Sequence, residues 1–89
     1  MKTVSITVTG KVQGVWFRKY TCDKAVQLGL HGTVRNMLNG DVLILATGHE
    51  SELQKLESWC WKGSPQSSVR SVRKEEIALI EFADFRILE

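Results

Sequence analysis

The amino-acid sequence predicts an α+β fold in which two helices cover one face of an antiparallel sheet of four to five strands. Three observations support this prediction. An alternating run at 3–9 indicates a strand, segments at 17–28 and 50–62 have helical spacing, and an Asn-Gly pair at 39–40 indicates a hairpin between them. The resulting order, β-α-β-β-α-β with one further strand, is the ferredoxin-like arrangement.

The first half of the chain contains a strand, a glycine-containing loop and a helix. In TVSITVT at 3–9, branched apolar residues alternate with hydroxyl residues, which is typical of a half-buried strand. The stretch GKVQGVWFRK at 10–19 follows it. FRKYTCDKAVQL at 17–28 predicts a helix, and Gly29 and Gly32 suit its end.

The second half repeats this alternation of strands and a helix. TVRNML at 33–38 and DVLILAT at 41–47 predict two strands joined by the Asn-Gly turn. ESELQKLESWCWK at 50–62 predicts the second helix. After a loop, the remaining segment predicts one strand within 69–77 and another that ends in the Phe-Arg-Ile of 85–87.

Length and composition narrow the class of protein. The 89 residues predict a single domain over 1–89, and 43% hydrophobic with 25% charged residues is ordinary for a globular protein. The net charge of +2 is small and has no basic block, so we expect no nucleic-acid partner. No apolar run approaches the ~18 residues of a membrane span, and the alternating N-terminus lacks a signal-peptide core. We expect a cytoplasmic monomer without a membrane partner.

The loop at 10–19 has features of an anion site. Gly10 and Gly14 permit a tight path ahead of a helix, where free N–H groups and the helix dipole favour an anion. Arg18 lies in the first turn of that helix, where a cation opposes the dipole unless an anion shares the site. The alternative is a glycine turn next to a solvated arginine.

Asn36 is the second candidate, and it follows from the predicted topology. A helical crossover joins strands one and two, so these strands run parallel and their carboxyl ends lie at the same edge as the loop. Asn36 is near the end of strand two on the same face as Val34, which we expect to face the helices. A polar amide there needs a partner. The alternative is an asparagine that only fastens the nearby turn.

Several segments resemble a known family. G-K-V-Q-G-V-W-F-R at 10–18 resembles the signature of acylphosphatases, small enzymes that hydrolyse carboxyl-phosphate mixed anhydrides. G-T-V-R-N at 32–36, followed by N-G at 39–40, resembles their second motif. The resemblance covers nearly the whole chain and also includes L-G-L-H-G at 28–32, G-S-P at 63–65 and D-F-R-I at 84–87.

The resemblance implies a role for each matching position. Arg18 would bind the substrate phosphate, and Asn36 would hold the attacking water. No metal and no other cofactor is expected. The backbone N–H groups that would share the phosphate with the Arg18 side chain are those of Gln13, Gly14, Val15, Trp16, Phe17 and Arg18.

The absence of acids and bases from the two motifs agrees with this chemistry. Neither 10–18 nor 32–36 contains His, Asp, Glu or Cys. An acyl phosphate releases a carboxylate, whose conjugate acid has a pKa of ~4, so the leaving group needs no proton. The remaining tasks are to neutralise the phosphoryl charge and to aim a water. We therefore expect hydrolysis of acyl phosphates, poor activity on phosphate esters and no metal requirement.

Other residue types suggest weaker roles. His31 and His49 lack partners of metal-ligand spacing, so turn or surface positions are expected. Trp59 and Trp61 cannot share one helix face, so one is expected in the core and the other half exposed. Trp16 is interpreted as a packing or exposed loop residue, with a lid over the site as the alternative.

The two cysteines are too few for a disulfide scaffold. Both are expected to be reduced, although a disulfide between Cys22 and Cys60 stays possible from the topology. Cys60 is expected to fill an apolar core position. Cys22 lies near the anion loop, which would favour its thiolate.

Two binding functions compete with the enzyme. RNA-recognition domains of this fold need aromatic residues on a central strand, and DVLILAT at 41–47 has none. A non-catalytic module that binds acyl phosphates or other anions is the remaining alternative. Lys11, Lys19 and Arg35 could steer an anion to either kind of site, but solvated surface positions are the default.

Overall fold

A computed structural model of the chain describes residues 1–89 and contains five strands and two helices. The prediction of two helices and of a fifth strand is confirmed, with bounds shifted by at most two residues in the first half of the chain. The elements in chain order are β1 (Lys2–Lys11), α1 (Phe17–Gln27), β2 (His31–Asn36), β3 (Val42–Gly48), α2 (Glu50–Lys62), β4 (Ser68–Ile77) and β5 (Phe85–Leu88).

The strands form one sheet in the order β4-β1-β3-β2-β5, which confirms the ferredoxin-like α+β fold. Three ladders are antiparallel, as predicted. The fourth is not, because β5 pairs parallel with β2 at the sheet edge, so the sheet is mixed. The reason is topological. The segment 78–84 carries the chain from β4, at one edge, across to the other edge and reverses its direction.

The core lies between the sheet and the helices. Alternate residues of the strands face the helices and are fully buried, such as Ile6, Val34 and Ile44, as the period of two requires. The helices complete one cluster of buried side chains. α1 contributes Phe17 and Ala25, and α2 contributes Leu53, Leu56 and Cys60. Neither helix combines the length and apolar character needed to cross a membrane.

One edge of the sheet brings both sequence motifs together. β1 and β2 are each antiparallel to β3, so they run in the same direction. Their carboxyl ends, Lys11 and Asn36, therefore lie at the same edge. The segment 12–16, named the α1 loop from here on, leaves β1 at this edge and leads into α1.

Candidate active site

The α1 loop is shaped by two buried valines and two left-handed residues. Val12 and Val15 are buried in the core and anchor the loop. Gly14 has φ 73° and Trp16 has φ 65°, both in the left-handed region. Gly14 adopts this conformation readily, whereas Trp16 is the only non-glycine residue of the chain with a positive φ.

Side chains from two other segments fasten the loop. Ser64 Oγ donates a hydrogen bond to the Val15 carbonyl at 2.7 Å. Gln13 Nε2 donates to the carbonyls of Met37 and Asp41, at 2.8 and 2.9 Å, and so ties the loop to the β2–β3 hairpin. The sequence motif predicts a role only for the backbone of Gln13. No local signal could have revealed the side-chain role, because the partners are 24 and 28 positions away.

The loop and the first turn of α1 present a set of free backbone donors. No backbone N–H from Gln13 to Lys19 donates a hydrogen bond to another group of the chain. The first that does is Tyr20 N, which donates to Trp16 O at 3.1 Å. Free N–H groups at a helix N-terminus carry partial positive charge, so this segment is suited to an anion.

Gly10 and Gly14, the two glycines of the 10–18 motif, have different structural roles. A Cβ on Gly10 would collide with the carbonyl oxygen of Ser68, and the β1–β4 register shifts between Thr9 and Gly10. Gly10 therefore permits close strand contact at a β-bulge instead of shaping the α1 loop. A Cβ on Gly14 would meet nothing within 4 Å, so the backbone there is open to close approach.

A cavity of about 330 Å³ opens at this edge, and both candidate side chains line it. Arg18 reaches it from the first turn of α1, and Asn36 reaches it from the end of β2. Gly14 and Trp16 contribute the loop wall, and Ile87 of β5 also lines the cavity. The fold thus brings together two residues that are 18 positions apart in the sequence.

The Arg18 guanidinium is not neutralised by a carboxylate. Arg18 takes part in none of the ion pairs of the chain. Its single hydrogen bond runs from Nη1 to the Leu88 carbonyl at 3.2 Å, which holds the half-buried side chain against β5. Its remaining N–H donors and its full charge are available to an anion in the cavity.

The other basic residues near the motifs differ from Arg18. Lys19 lines the cavity, but its ammonium group forms an ion pair with Asp23 at 3.2 Å. Lys11 and Arg35 are exposed and do not line the cavity.

Asn36 carries a buried acceptor without a donor. It is the last residue of β2 and shares a face with the fully buried Val34, as predicted. Its Oδ1 is the one buried side-chain N or O atom that lacks a hydrogen-bond partner. An unsatisfied buried acceptor costs about 1–3 kcal/mol, so the position is costly unless a ligand or water donates to it.

The nearby turn does not depend on Asn36. Asn39 Oδ1 accepts a hydrogen bond from Asp41 N at 3.0 Å, and Asn39 Nδ2 donates to Asp41 Oδ2 at 3.1 Å. These bonds close the β2–β3 turn, so the alternative that Asn36 fastens this turn is not supported.

The cysteines have no activated thiolate. Both are free, and no disulfide joins them. The prediction that the loop favours the Cys22 thiolate is wrong, because burial and the neighbouring Asp23 raise the pKa of the Cys22 thiol. Burial raises the pKa of Cys60 to about 12, as befits a core position. Both thiols are therefore neutral at ordinary pH.

The histidines and the two tryptophans of α2 have contacts that indicate structural or surface positions and no catalytic role. His31 Nδ1 lies 3.1 Å from the Phe82 carbonyl, and no group of three or more His, Cys, Asp or Glu side chains is placed to hold a metal ion. Trp59 packs against Phe17 with ring centroids 5.5 Å apart, whereas Trp61 is exposed. The prediction that one of these two tryptophans faces the core is confirmed.

Comparison with known proteins identifies the family to which this site belongs. The acylphosphatase family model matches residues 4–87. The chain belongs to the acylphosphatase family. An acylphosphatase of Shewanella amazonensis is 46% identical over 90 residues, with 100% of this chain and 99% of that protein covered. An acylphosphatase of Coxiella burnetii is 43% identical over 84 residues, with 94% and 88% covered.

The fold agrees with this assignment. The crystal structure of acylphosphatase from Bacillus subtilis superposes with a TM-score of 0.97 at 37% identity, covering 100% of both chains. The resemblance noted in the two motifs is thus confirmed over the whole chain, and the protein is an enzyme of the acylphosphatase family.

Proposed function

We propose that this acylphosphatase-family enzyme hydrolyses the carboxyl-phosphate bond of acyl phosphates to a carboxylate and inorganic phosphate, without a metal or other cofactor. One observation carries the proposal. A single cavity joins the unpaired guanidinium of Arg18, the free N–H groups of the α1 loop and the unpartnered Oδ1 of Asn36. These groups suffice for one chemical task, the transfer of a phosphoryl group to water.

The phosphate of the substrate lies against the loop and Arg18 in this proposal. A phosphate carries about two negative charges, and the guanidinium can donate two N–H bonds to two of its oxygens. The free amides stabilise the same charge, which spreads over the equatorial oxygens in the transition state. The amides assigned to this role are those of Gln13, Gly14, Val15, Trp16, Phe17 and Arg18.

Asn36 holds the attacking water. Its buried Oδ1 needs a donor, and a water that donates one hydrogen to it has an oxygen lone pair free to face the phosphorus. The amide cannot take a proton, so a phosphate oxygen of the substrate accepts it. The water oxygen bonds to phosphorus, the bond from phosphorus to the acyl oxygen breaks, and the carboxylate leaves with that electron pair.

The leaving group explains why the site needs neither an acid nor a metal. The conjugate acid of a carboxylate has a pKa of ~4, so the carboxylate departs unprotonated at neutral pH. An alkyl phosphate would release an alkoxide, which needs a proton or a Lewis acid. The proposed site is therefore selective for anhydrides over esters. All of its groups come from one chain, which supports a monomer as the working unit.

Hydrolysis of benzoyl phosphate by the wild type and by Asn36→Ala tests the proposal. EDTA is present throughout, and an alkyl phosphate serves as the ester substrate. We expect metal-independent turnover of the anhydride alone, with a loss of about 10²–10³ in kcat for the variant, typical of one preorganised contact. Asn39→Ala, which alters the nearby turn, is the matched control and should keep most of the activity.

Two results would count against the proposal. Equal activity of wild type and Asn36→Ala would remove Asn36 from the mechanism. No turnover by the wild type, together with binding of inorganic phosphate, would instead make the protein a non-catalytic anion-binding module.

A further inference from the structure

Trp16 has a conformation and an exposure that folding alone does not explain. Its indole is 70% exposed, and its backbone is left-handed at φ 65° and ψ 18°. This conformation costs a residue with a side chain roughly 1–2 kcal/mol, and glycine could adopt it freely. The side chain makes neither a hydrogen bond nor an aromatic pair that would offset the cost. A bulky side chain in such a position indicates a role in the site beside it.

The cavity next to Trp16 has a charged part and an apolar part. Arg18, Asn36 and the loop amides provide the polar part described above. Lys19 and Glu89 add one charged residue of each sign to it. Trp16 and Ile87, which is 39% exposed, add accessible apolar side chains to the lining of the same cavity. The volume of about 330 Å³ is within the range of small-molecule sites, and it exceeds what a phosphate alone would fill.

An acyl phosphate has the same two-part character. Its phosphate is charged, and its acyl group is apolar to an extent that depends on the acid. The loop amides and the Arg18 side chain together form the site proposed for the phosphate, named the phosphate cradle from here on. When the phosphate lies in this cradle, the acyl group extends toward the rest of the cavity lining. Among the lining side chains, the indole offers the largest accessible apolar face, and aromatic rings pack well against such a face.

We propose that Trp16 is a specificity-determining residue that contacts the acyl group, with Ile87 adding to the same apolar surface. The enzyme then prefers acyl phosphates with an aromatic or extended apolar acyl group over acetyl phosphate. This inference rests on the proposed function, because it assigns the part of the substrate that the phosphate cradle leaves free.

The test compares kcat/KM for benzoyl phosphate with kcat/KM for acetyl phosphate in the wild type and in Trp16→Gly. Glycine keeps the left-handed backbone without strain, so the variant removes the indole and leaves the loop path accessible. We expect the benzoyl-to-acetyl ratio to fall about five- to tenfold, the range of one aromatic contact. The ratio is insensitive to a general weakening of phosphate binding, which affects both substrates. Trp61→Ala, which removes another exposed indole, should leave the ratio unchanged.

A ratio that stays the same in Trp16→Gly would overturn the inference, whether or not both rates fall. Binding of benzoylphosphonate and acetylphosphonate, measured by calorimetry, separates this outcome from a failure of the proposed function. If the wild type turns over neither substrate but binds the benzoyl analogue more tightly, and Trp16→Gly abolishes that preference, the inference stands and the proposed hydrolysis does not. If the wild type shows no preference between the phosphonates, the inference is wrong.

Discussion

The two helices lie in the same layer of the fold, yet they begin in opposite ways. α2 starts after His49, which has an extended backbone, and it has Glu50 and Glu52 in its first turn. α1 starts after the left-handed Trp16, has no acidic residue in its first turn and carries Arg18 there. Acidic side chains at a helix N-terminus stabilise the helix by about 0.3–1 kcal/mol, and a cation opposes the dipole.

The N-terminus of α2 is built for helix stability, whereas the N-terminus of α1 is built to bind a ligand. At α2 the partial positive charge is compensated within the chain, and Glu52 is further held by Ser51 and Lys55. At α1 the amides donate to no group of the chain, and Arg18 forms no ion pair, although Glu89 also lines the cavity. A dianionic ligand supplies acceptors for the free amides and negative charge for Arg18. Binding of such a ligand therefore removes the unfavourable electrostatics at the start of α1.

Removing the cation at α1 gives the largest expected effect. Arg18→Ala should lower kcat/KM for an acyl phosphate by at least about 10²–10³, because the guanidinium stabilises phosphoryl charge in the transition state. The free energy of unfolding in anion-free buffer should change little, because loss of the hydrogen bond to Leu88 is offset by removal of a cation that opposed the helix dipole. Steady-state kinetics and urea denaturation measure the two quantities.

Arg35→Ala is the matched control for this change, because Arg35 is exposed and does not line the cavity. It should keep its activity. A folded Arg18→Ala variant with near-normal activity would show that the α1 start is not a phosphate site.

Glycine substitutions at the two ends of α1 should differ in their effect on phosphate binding but not on stability. Gly14, before the helix, and Gly29, after it, both have φ 73° and open space where a Cβ would lie. Alanine at either position should lower the free energy of unfolding by roughly 1–2 kcal/mol through backbone strain. Only Gly14→Ala should also weaken the binding of inorganic phosphate, severalfold, because its Cβ occupies space at the cradle.

Calorimetric titration with inorganic phosphate distinguishes the two glycine variants. If Gly14→Ala and Gly29→Ala changed phosphate affinity equally, the effect would reflect general strain and the cradle would lie elsewhere.

The smallest effect is expected at α2. Hydrogen bonds from Ser51 and Lys55 lower the pKa of Glu52, so its ionised form is favoured in the folded state. This stabilisation is present above the unfolded pKa of about 4.3 and is lost as the pH falls through the lower folded value. Glu52→Gln should therefore lower the free energy of unfolding at pH 7, and its difference from the wild type should shrink in acid.

The affinity for inorganic phosphate should not depend on the start of α2, in contrast to the start of α1. Glu52→Gln should bind inorganic phosphate as the wild type does, because Glu52 does not line the cavity at the α1 loop. A change in phosphate affinity would contradict the separation of the two helix starts.

Local patterns predicted the parts of the fold that depend on local physics. The alternation in β1 and the spacing of the apolar residues in α2 record which side of an element is buried, so they appear directly in the sequence. The Asn-Gly pair marked the hairpin, but the prediction of a two-residue turn is wrong, because β2 ends at Asn36, β3 begins at Val42 and Asn39 has no positive φ. The crossover rule then placed Asn36 at the same edge as Arg18. Both residues do line one cavity.

Contacts between distant segments could not be predicted in this way. The parallel pairing of β5 with β2 depends on the path of 78–84 across the sheet, and the short, largely exposed strand carries little alternation of its own. The Gln13 side-chain bonds depend on the exact position of the β2–β3 hairpin. The Cys22 prediction failed because burial, which the sequence pattern does not reveal, and the neighbouring Asp23 carboxylate raise the pKa of the thiol.

Hydrolysis of an acyl phosphate in ¹⁸O-labelled water shows which atom of the substrate the water attacks. With the phosphate against the α1 loop and a water on Asn36, the water oxygen must bond to phosphorus. The label should appear in inorganic phosphate, with none in the carboxylate, and Asn36→Ala should release labelled phosphate about 10²–10³-fold more slowly than the wild type. Label in the carboxylate would mean attack at the carbonyl carbon, and it would contradict the phosphate cradle at the start of α1.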